Sequence, residues 1–311
     1  MAGARRLIAA VGPTASGKSA LALRLADANG GEIVSCDSLQ VYRGLDIGSA
    51  KASAGERRRV RHHLLDVVDA DQHFSAADYG RLARAALSEI GGRGARAIVA
   101  GGTGLYLRAL LGGLFAGPSR DPALRQRLER MARRFGDARL HRLLARVDPE
   151  AAARNSPRDR VRVVRALEVY WTSGRTITEQ QRAPLQPLEG YEVLLVGLAP
   201  ARDALLRAVE RRTDEMLARG LLDEVRGLLA RYSADLRPLR AIGYRQAVAV
   251  VQGRMDLAQA GRDMVRDTMR YAKRQMTWFR HQAKVEWFAD ADAAYAAAND
   301  WIRHGGTETR S

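Results

Sequence analysis

The chain has 311 residues, of which 46% are hydrophobic and 28% charged, enough apolar material for a sizeable core and too much for a disordered segment. It carries 51 Lys and Arg against 35 Asp and Glu, a formal net charge of +16 with a pI near 10.8, and only four of those basic residues are Lys. The other 47 are Arg. Guanidinium forks grip phosphate through two hydrogen bonds, so the balance points to a nucleic-acid partner; the bland alternative is the arginine bias of a GC-rich genome. The single cysteine, Cys36, excludes a disulfide framework and a Cys-based zinc site. No apolar run approaches the ~18 residues of a membrane span, and residues 7–11 are too short for a signal-peptide core. A cytoplasmic protein of about two domains is expected, with no membrane partner.

The first hundred residues alternate short apolar runs with helical patterns, the mark of a parallel α/β sheet. A strand over 7–11 enters a Gly-rich turn and a helix over 18–29, which Gly30-Gly31 stops. A second strand, 33–34, ends at Ser35-Cys36-Asp37-Ser38. Ser75 and Asp78 form a capping-box pattern opening a helix that runs to Ile90, before Gly91-Gly92. A third strand, 97–100, ends in Gly101-Gly102-Thr103-Gly104. From Arg120 to Arg182 strand patterns vanish, and this stretch holds 16 Arg and 8 acidic residues.

A buried strand over 191–198 follows and most simply rejoins the first sheet. Residues 116–190 then read as a helical insertion in a core built from 1–115 and 191–311. The remainder is helical, with breaks at Gly220, Gly243 and Gly253 and a loose tail after Arg303. Over 263–288 the 3.6 period predicts a core stripe of Val265, Met269, Ala272, Met276 and Phe279, ringed by Arg266, Arg270, Lys273, Arg274 and Arg280. Over 158–171 it buries Val164, Leu167 and Trp171 and leaves Arg158, Arg162 and Arg165 outside.

Gly12-Pro13-Thr14-Ala15-Ser16-Gly17-Lys18-Ser19 matches the P-loop pattern at every fixed position, with a strand before it and a helix after. Its glycines let backbone N–H groups close on phosphate oxygens, and the helix N-terminus adds partial positive charge. Lys18 supplies a point charge to the terminal phosphate and Ser19 a hydroxyl for Mg²⁺. A di- or triphosphate ligand follows. A P-loop kinase is one reading, with Asp37 on Mg²⁺. Against it, Asp37 sits in a polar run suited to reading a substrate, and no second strand ends in a dedicated metal-binding carboxylate. Adjacent His62 and His63 face opposite ways and cannot readily share one ion, and Cys36 has no setting that would make it a nucleophile.

The P-loop, Asp37-Ser38-Leu39-Gln40-Val41-Tyr42 and Gly44-Leu45-Asp46-Ile47-Gly48-Ser49-Ala50-Lys51 resemble the tRNA dimethylallyltransferase family. So do His62-His63-Leu64-Leu65-Asp66, Gly101-Gly102-Thr103-Gly104-Leu105-Tyr106 and the run from Arg158 to Glu168. Ala241-Ile242-Gly243-Tyr244-Arg245-Gln246 and the run from Tyr271 to Phe279 complete the set, in the family's order and over about 90% of the chain. The resemblance implies a P-loop-like parallel sheet with an inserted all-helical domain. It implies transfer of a five-carbon allyl group from dimethylallyl diphosphate to N6 of adenosine 37, beside the anticodon of tRNAs reading codons that begin with U. The loop then grips the leaving diphosphate.

By the same resemblance Asp37 is the general base and Thr103 contacts the reacting centre, while Lys18 and Arg212 hold the diphosphate. It places Asp37, Ser38, Leu39, Gln40, Thr103, Arg125, Val161, Arg162, Val163, Val164, Arg165, Arg240, Gly243, Tyr244, Arg245, Lys273 and Arg274 against tRNA, with the insertion on the anticodon stem-loop. Mg²⁺ is the implied cofactor, and a monomer is expected. The rivals are an adenylate-type isopentenyltransferase acting on a free nucleotide, which needs no basic insertion, a P-loop kinase, and a non-catalytic RNA-binding protein, which leaves the P-loop, Asp37 and Thr103 without a purpose.

Overall fold

Along the first strand, β1 (Arg5–Val11), Leu7, Ala9 and Val11 pack into one apolar layer while Ile8 and Ala10 pack into another. A strand that is apolar on both faces has to be covered on both, the condition of a parallel sheet with helices above and below. The computed structural model, which describes residues 4–115 and 117–304, builds a sheet of six strands among those residues.

In chain order β1 leads to α1 (Lys18–Ala28), β2 (Gly31–Ser35), α2 (Ala54–Arg59), β3 (His62–His63), α3 (Ala76–Gly92), β4 (Arg96–Ala100) and α4 (Gly104–Leu111). A run of helices follows: α5 (Pro122–Phe135), α6 (Asp137–Val147), α7 (Pro149–Arg154), α8 (Arg160–Ser173) and α9 (Ile177–Gln181). The chain then returns through β5 (Tyr191–Leu198), α10 (Arg202–Ala218), α11 (Leu221–Leu229), α12 (Tyr244–Val251), α13 (Leu257–Gln282), β6 (Glu286–Phe288) and α14 (Ala291–His304). Two compact units result: Met1–Leu111 with Leu188–Ser311, and Gly112–Pro187.

In the first unit the strand order is β3-β2-β4-β1-β5-β6, with every pairing parallel. β1 lies between β4, in register Leu7 to Ala97, and β5, in register Arg5 to Tyr191. One face is covered by α1 and α14 through Leu21, Leu25, Ala294 and Ile302. The other is covered by α3, α4, α12 and α13 through Tyr79, Leu87, Leu107, Tyr244 and Phe279. Because all strands point one way, the turns that follow β1, β2 and β4 gather at a single edge, where ligands of such sheets bind. No helix among the described residues is long and apolar enough to cross a membrane.

The second unit has its own core, formed by Leu128 and Ala132 of α5, Leu140 and Leu144 of α6, Ala151 of α7, and Val163, Val164 and Leu167 of α8. Inside it the carboxylate of Glu168 has no solvent exposure. It accepts a hydrogen bond from the Asp121 N–H at 3.0 Å and pairs with Arg125 at 3.1 Å and Arg165 at 2.8 Å.

Several expectations need correction. The edge strands β3 and β6 carry two and three residues, too few to show an apolar alternation. The capping box of Ser75 and Asp78 is present, but α3 runs through Gly91 and Gly92, not stopping at Ile90. The long late helix spans Leu257–Gln282, not 263–288, and its buried face is Ala260, Met264, Asp267, Ala272, Gln275 and Phe279. Val265, Met269 and Met276 are only half-buried. The two polar residues of that face, Asp267 and Gln275, are satisfied by partners on other elements. Trp171, expected inside, is 44% exposed. His62 meets the Val60 carbonyl and His63 meets Glu32, so the two rings do face apart. The expected tail after Arg303 lies, beyond His304, outside the described residues.

A Cβ placed on Gly101 would stand 2.1 Å from the carbonyl oxygen of Cys36, a backbone atom held in the sheet's edge, whereas one on Gly227 of α11 would meet nothing within 4 Å. Gly101→Ala should therefore destabilise the protein by at least ~1–3 kcal/mol, and Gly227→Ala should stabilise it by ~0.4–1 kcal/mol, in urea melts. Equal midpoints for the two variants would contradict this packing.

Candidate active site

The turn between β1 and α1 begins at Gly12, where φ is 140° and a Cβ would lie 2.7 Å from the Leu198 carbonyl oxygen, so only glycine fits. Ala15 and Gly17 also have positive φ, 66° and 91°. Gly17 is the N-cap of α1, which has no side-chain cap and no acidic residue in its first turn. A helix start with no side-chain cap leaves its first N–H groups free to meet an anion. Lys18 Nζ donates to the Pro13 carbonyl at 3.0 Å, which folds the ammonium back over the loop. The Ser16 hydroxyl is buried and makes no hydrogen bond within the described residues.

Burial pushes the Lys18 ammonium down to about 8, helped by the like charge of Arg212 and opposed by Asp37. Arg212, on α10, is itself held below its usual value by burial, again opposed by Asp37. Two desolvated cations thus share one carboxylate, a surplus of positive charge that a diphosphate would satisfy. Arg212 and Arg211 differ here as neighbours on a helix should: Arg211 reaches Glu215 at the surface, at 3.9 Å.

The turns after β2 and β4 interlock. Cys36 N donates to the Ala100 carbonyl at 2.8 Å and Thr103 N donates to the Cys36 carbonyl at 3.2 Å. The Thr103 hydroxyl accepts from Ser38 N at 3.1 Å and is hydrogen-bonded with the Tyr271 hydroxyl of α13. Tyr271 is pushed up to about 12, chiefly by burial and then by Asp37, so it stays a neutral phenol. Asp37 Oδ1 accepts from Leu39 N at 2.8 Å, which fixes the carboxylate on its turn.

These turns open onto a cavity of about 660 Å³ whose wall includes Thr14, Asp37, Ser38, Leu39, Arg212, Arg240, Gly243, Arg245 and Arg274 among the residues expected from sequence. Lys18 and Thr103 stand outside that lining and meet it through Asp37 and Ser38. The wall also holds Tyr42, from the polar run that begins at Asp37, and Arg270, one of the arginines expected around the late helix; sequence reasoning missed Asp267 and Tyr271. Asp267 accepts from Arg245 at 2.6 Å and from the Gln246 amide at 3.0 Å, and pairs with Arg266 at 3.2 Å and Arg270 at 3.5 Å. The missed signal was an acidic residue inside an arginine-rich helix. Gln275, two turns further along α13, accepts from Thr14 N and donates to the Gly102 carbonyl, each at 2.9 Å.

Other expected residues stand elsewhere. Gln40 bonds Ser35 and the carbonyls of Ser49 and Ala50, so its amide braces a loop and does not line the cavity. Val163 and Val164 are 1% and 3% exposed within the second unit's core, and Tyr244 is fully buried with its hydroxyl donating to Glu224 at 2.7 Å. These three side chains are packing residues and cannot touch RNA in this conformation. Val161 and Arg162, Lys273 and Arg274 are exposed, whereas Arg125 and Arg165 are tied to Glu168.

Ser19 is exposed in the first turn of α1. No group of three or more His, Cys, Asp or Glu converges among the described residues to cage an ion. Mg²⁺ usually takes one or two protein oxygens and fills its shell with water and substrate phosphate. A lone hydroxyl at the mouth of a phosphate loop fits that shared mode.

The IPP transferase family matches residues 40–282 of the chain. The tRNA dimethylallyltransferase of Geobacter metallireducens is 52% identical over 283 residues, 91% of this chain and 92% of that protein. That of Koribacter versatilis is 46% identical over 300 residues, 96% and 98%. The crystal structure of a tRNA isopentenylpyrophosphate transferase from Bacillus halodurans is similar at a TM-score of 0.70 and 38% identity, covering 97% of this chain and 96% of that one. A eukaryotic dimethylallyltransferase captured acting on tRNA is similar at a TM-score of 0.80 and 25% identity, covering 98% and 81%. With a relative this similar over nine-tenths of both chains, this chain belongs to the tRNA dimethylallyltransferase family.

Proposed function

We propose that the chain transfers the dimethylallyl group of dimethylallyl diphosphate to N6 of adenosine 37 in tRNAs reading codons that begin with U, releasing diphosphate. The observation that carries this reading is the position of Asp37. It lines the cavity and at the same time sits in the electrostatic reach of Lys18 and Arg212. One carboxylate therefore joins the place where an anion leaves to the place where a base enters.

The N6 lone pair is delocalised into the adenine ring, so attack on C1 of the allyl group needs a proton acceptor as the new bond forms. Asp37 takes that proton. The Thr103 hydroxyl holds the Ser38 amide and so fixes the turn that carries Asp37. Lys18, Arg212 and the N–H groups of the loop stabilise charge growing on the leaving oxygen. Mg²⁺ bound alongside, with Ser19 as its protein ligand, would add further positive charge to that leaving group. The base must unstack to enter the cavity, which costs least in a single-stranded loop. The basic second unit, with Arg158 and Arg162 exposed on and beside α8, is the surface proposed to hold the anticodon stem-loop.

Incubating the enzyme with labelled dimethylallyl diphosphate and total tRNA, followed by nucleoside analysis, should yield N6-(dimethylallyl)adenosine. Label confined to free nucleotide, or transfer of γ-phosphate from ATP in its place, would overturn the reading.

Asp37→Asn keeps shape but loses the proton acceptor, so kcat should fall ~10²–10⁴-fold with KM for either substrate nearly unchanged. Partial rescue by raised Mg²⁺ would instead make Asp37 a metal ligand. The lowered Lys18 ammonium predicts a pH effect with two opposite signs. As pH rises above about 8 the lysine loses its proton, so affinity for dimethylallyl diphosphate should drop by up to ~10-fold per pH unit, with proton uptake on binding in calorimetry. Over the same range the free protein should gain stability, because the unfolded chain keeps a proton up to 10.5 that the folded one has released. Binding without proton uptake at pH 8.5 would refute this. Finally, tRNA affinity should fall steeply with salt, and Arg158→Ala with Arg162→Ala should reduce the magnitude of the logarithmic slope by ~1.4–1.8, the value for two phosphates; an unchanged slope would leave these arginines merely solvated.

A further inference from the structure

We propose that Gln275 is a positioning residue that holds the diphosphate loop and the Thr103 turn in one register, so that the grip on the leaving group and the geometry of the attacking base are set by a single side chain. The proposal rests on the transfer reaction argued above and identifies how its two halves are joined.

Gln275 is 6% exposed in the C-terminal half of α13, on a buried stripe shared with Ala260, Met264, Asp267, Ala272 and Phe279. A buried amide there is unfavourable unless both of its ends find partners. They do, and both partners are backbone groups of distant turns. Oε1 accepts from Thr14 N at 2.9 Å in the phosphate loop, and Nε2 donates to the Gly102 carbonyl at 2.9 Å, one residue before Thr103. An N–H on one side and a carbonyl on the other leave no freedom in which end of the amide points where.

The ladder between β1 and β4 ends with Ala10 opposite Ala100, and the Gly101 N–H then donates to the Ala10 carbonyl at 3.1 Å. Beyond that point the two chains leave the sheet for separate turns, and the Gln275 amide bridges them. The local sequence makes room for it. A Cβ on Gly102 would fall 2.1 Å from Gln275 Nε2 and 3.2 Å from the Gly12 carbonyl, so glycine is required for the amide to enter. The Gln275 carbonyl also takes the Thr14 N–H, which fixes which loop amides remain for phosphate.

Allylic displacement needs the attacking N6, C1 and the leaving oxygen held in line, and misplacement by about 1 Å can reduce the rate ~10²-fold. The leaving oxygen is positioned by the loop. The base is positioned by Asp37 and Ser38, which the Thr103 hydroxyl fixes. Gln275 touches neither substrate and acts through both turns.

The test uses full-length enzyme in single-turnover transfer with dimethylallyl diphosphate and tRNA saturating, alongside binding of each substrate alone. Gln275→Met keeps the length and packing and removes both hydrogen bonds. Its transfer rate should fall ~30–100-fold, while the Kd of each substrate changes less than about threefold. Gln275→Glu keeps the acceptor for Thr14 N but sets a carboxylate oxygen against the Gly102 carbonyl, and it should be slowed at least as much; it carries the test if the methionine variant fails to fold by circular dichroism. Combining Gln275→Met with Thr103→Val should lose less than the product of the two single losses, because the Thr103 turn is common to both. A wild-type rate in both Gln275 variants, a loss confined to the Kd for the diphosphate, or strictly multiplicative losses would each overturn the proposal while wild-type transfer stands. Wild-type enzyme that transfers nothing would remove the functional reading and this proposal with it.

Discussion

Holding Lys18 beside Arg212, partly withdrawn from solvent, is electrostatically unfavourable, and both cations are held below their usual values. Much of the first unit is arranged so that this charge is held where it is. The loop glycines fold the ammonium back onto Pro13, the sheet delivers Asp37 within electrostatic reach of both cations, and α10 supplies the second of them. A parallel sheet suits the task because its strand ends meet at one edge, so residues more than 170 positions apart in the chain meet without long reaches. A diphosphate bound there, as proposed above, would relieve that unfavourable term.

The parts of this site that sequence made legible are those whose determinants are local. The phosphate loop declares itself because every fixed residue lies within eight positions of a strand end, and Asp37 and Thr103 because each closes a short apolar run. Gln275 and Asp267 were not legible for a physical reason. Helical periodicity assigns polar residues to solvent, yet α13 turns a polar stripe inward, where partners from other turns satisfy it. The same rule misplaced Trp171 outside in, and the resemblance that named Val163, Val164 and Tyr244 could not tell a residue that touches RNA from one that packs beneath it. β3 and β6 were invisible because two or three residues carry no period.

In the second unit the same economy appears with a different chemistry. Glu168 is fully buried and draws in two arginines and the amide that opens α5. Buried ion pairs of this kind add little net stability compared with apolar packing, but removing one partner leaves the other stranded. Their effect is to fix direction: the segment before α5 and the helix α8 are pinned to one carboxylate. Arg125 and Arg165 are thereby structural cations first, and whatever they offer to a ligand is limited by that commitment.

The two-part origin of the sheet has a consequence during synthesis. β1 finds β4 within the first hundred residues, but its other neighbour, β5, begins only at Tyr191. At ~5–20 residues per second, a ribosome takes on the order of ten seconds to cover the gap. Through that interval one edge of β1, a strand apolar on both faces, is open, the condition under which strands pair with the wrong chain. The intervening helices have a core of their own, which shares no residue with the sheet's two apolar layers. The insertion thus carries a core independent of the sheet, and the sheet has all its strands only once the chain beyond the insertion has been made.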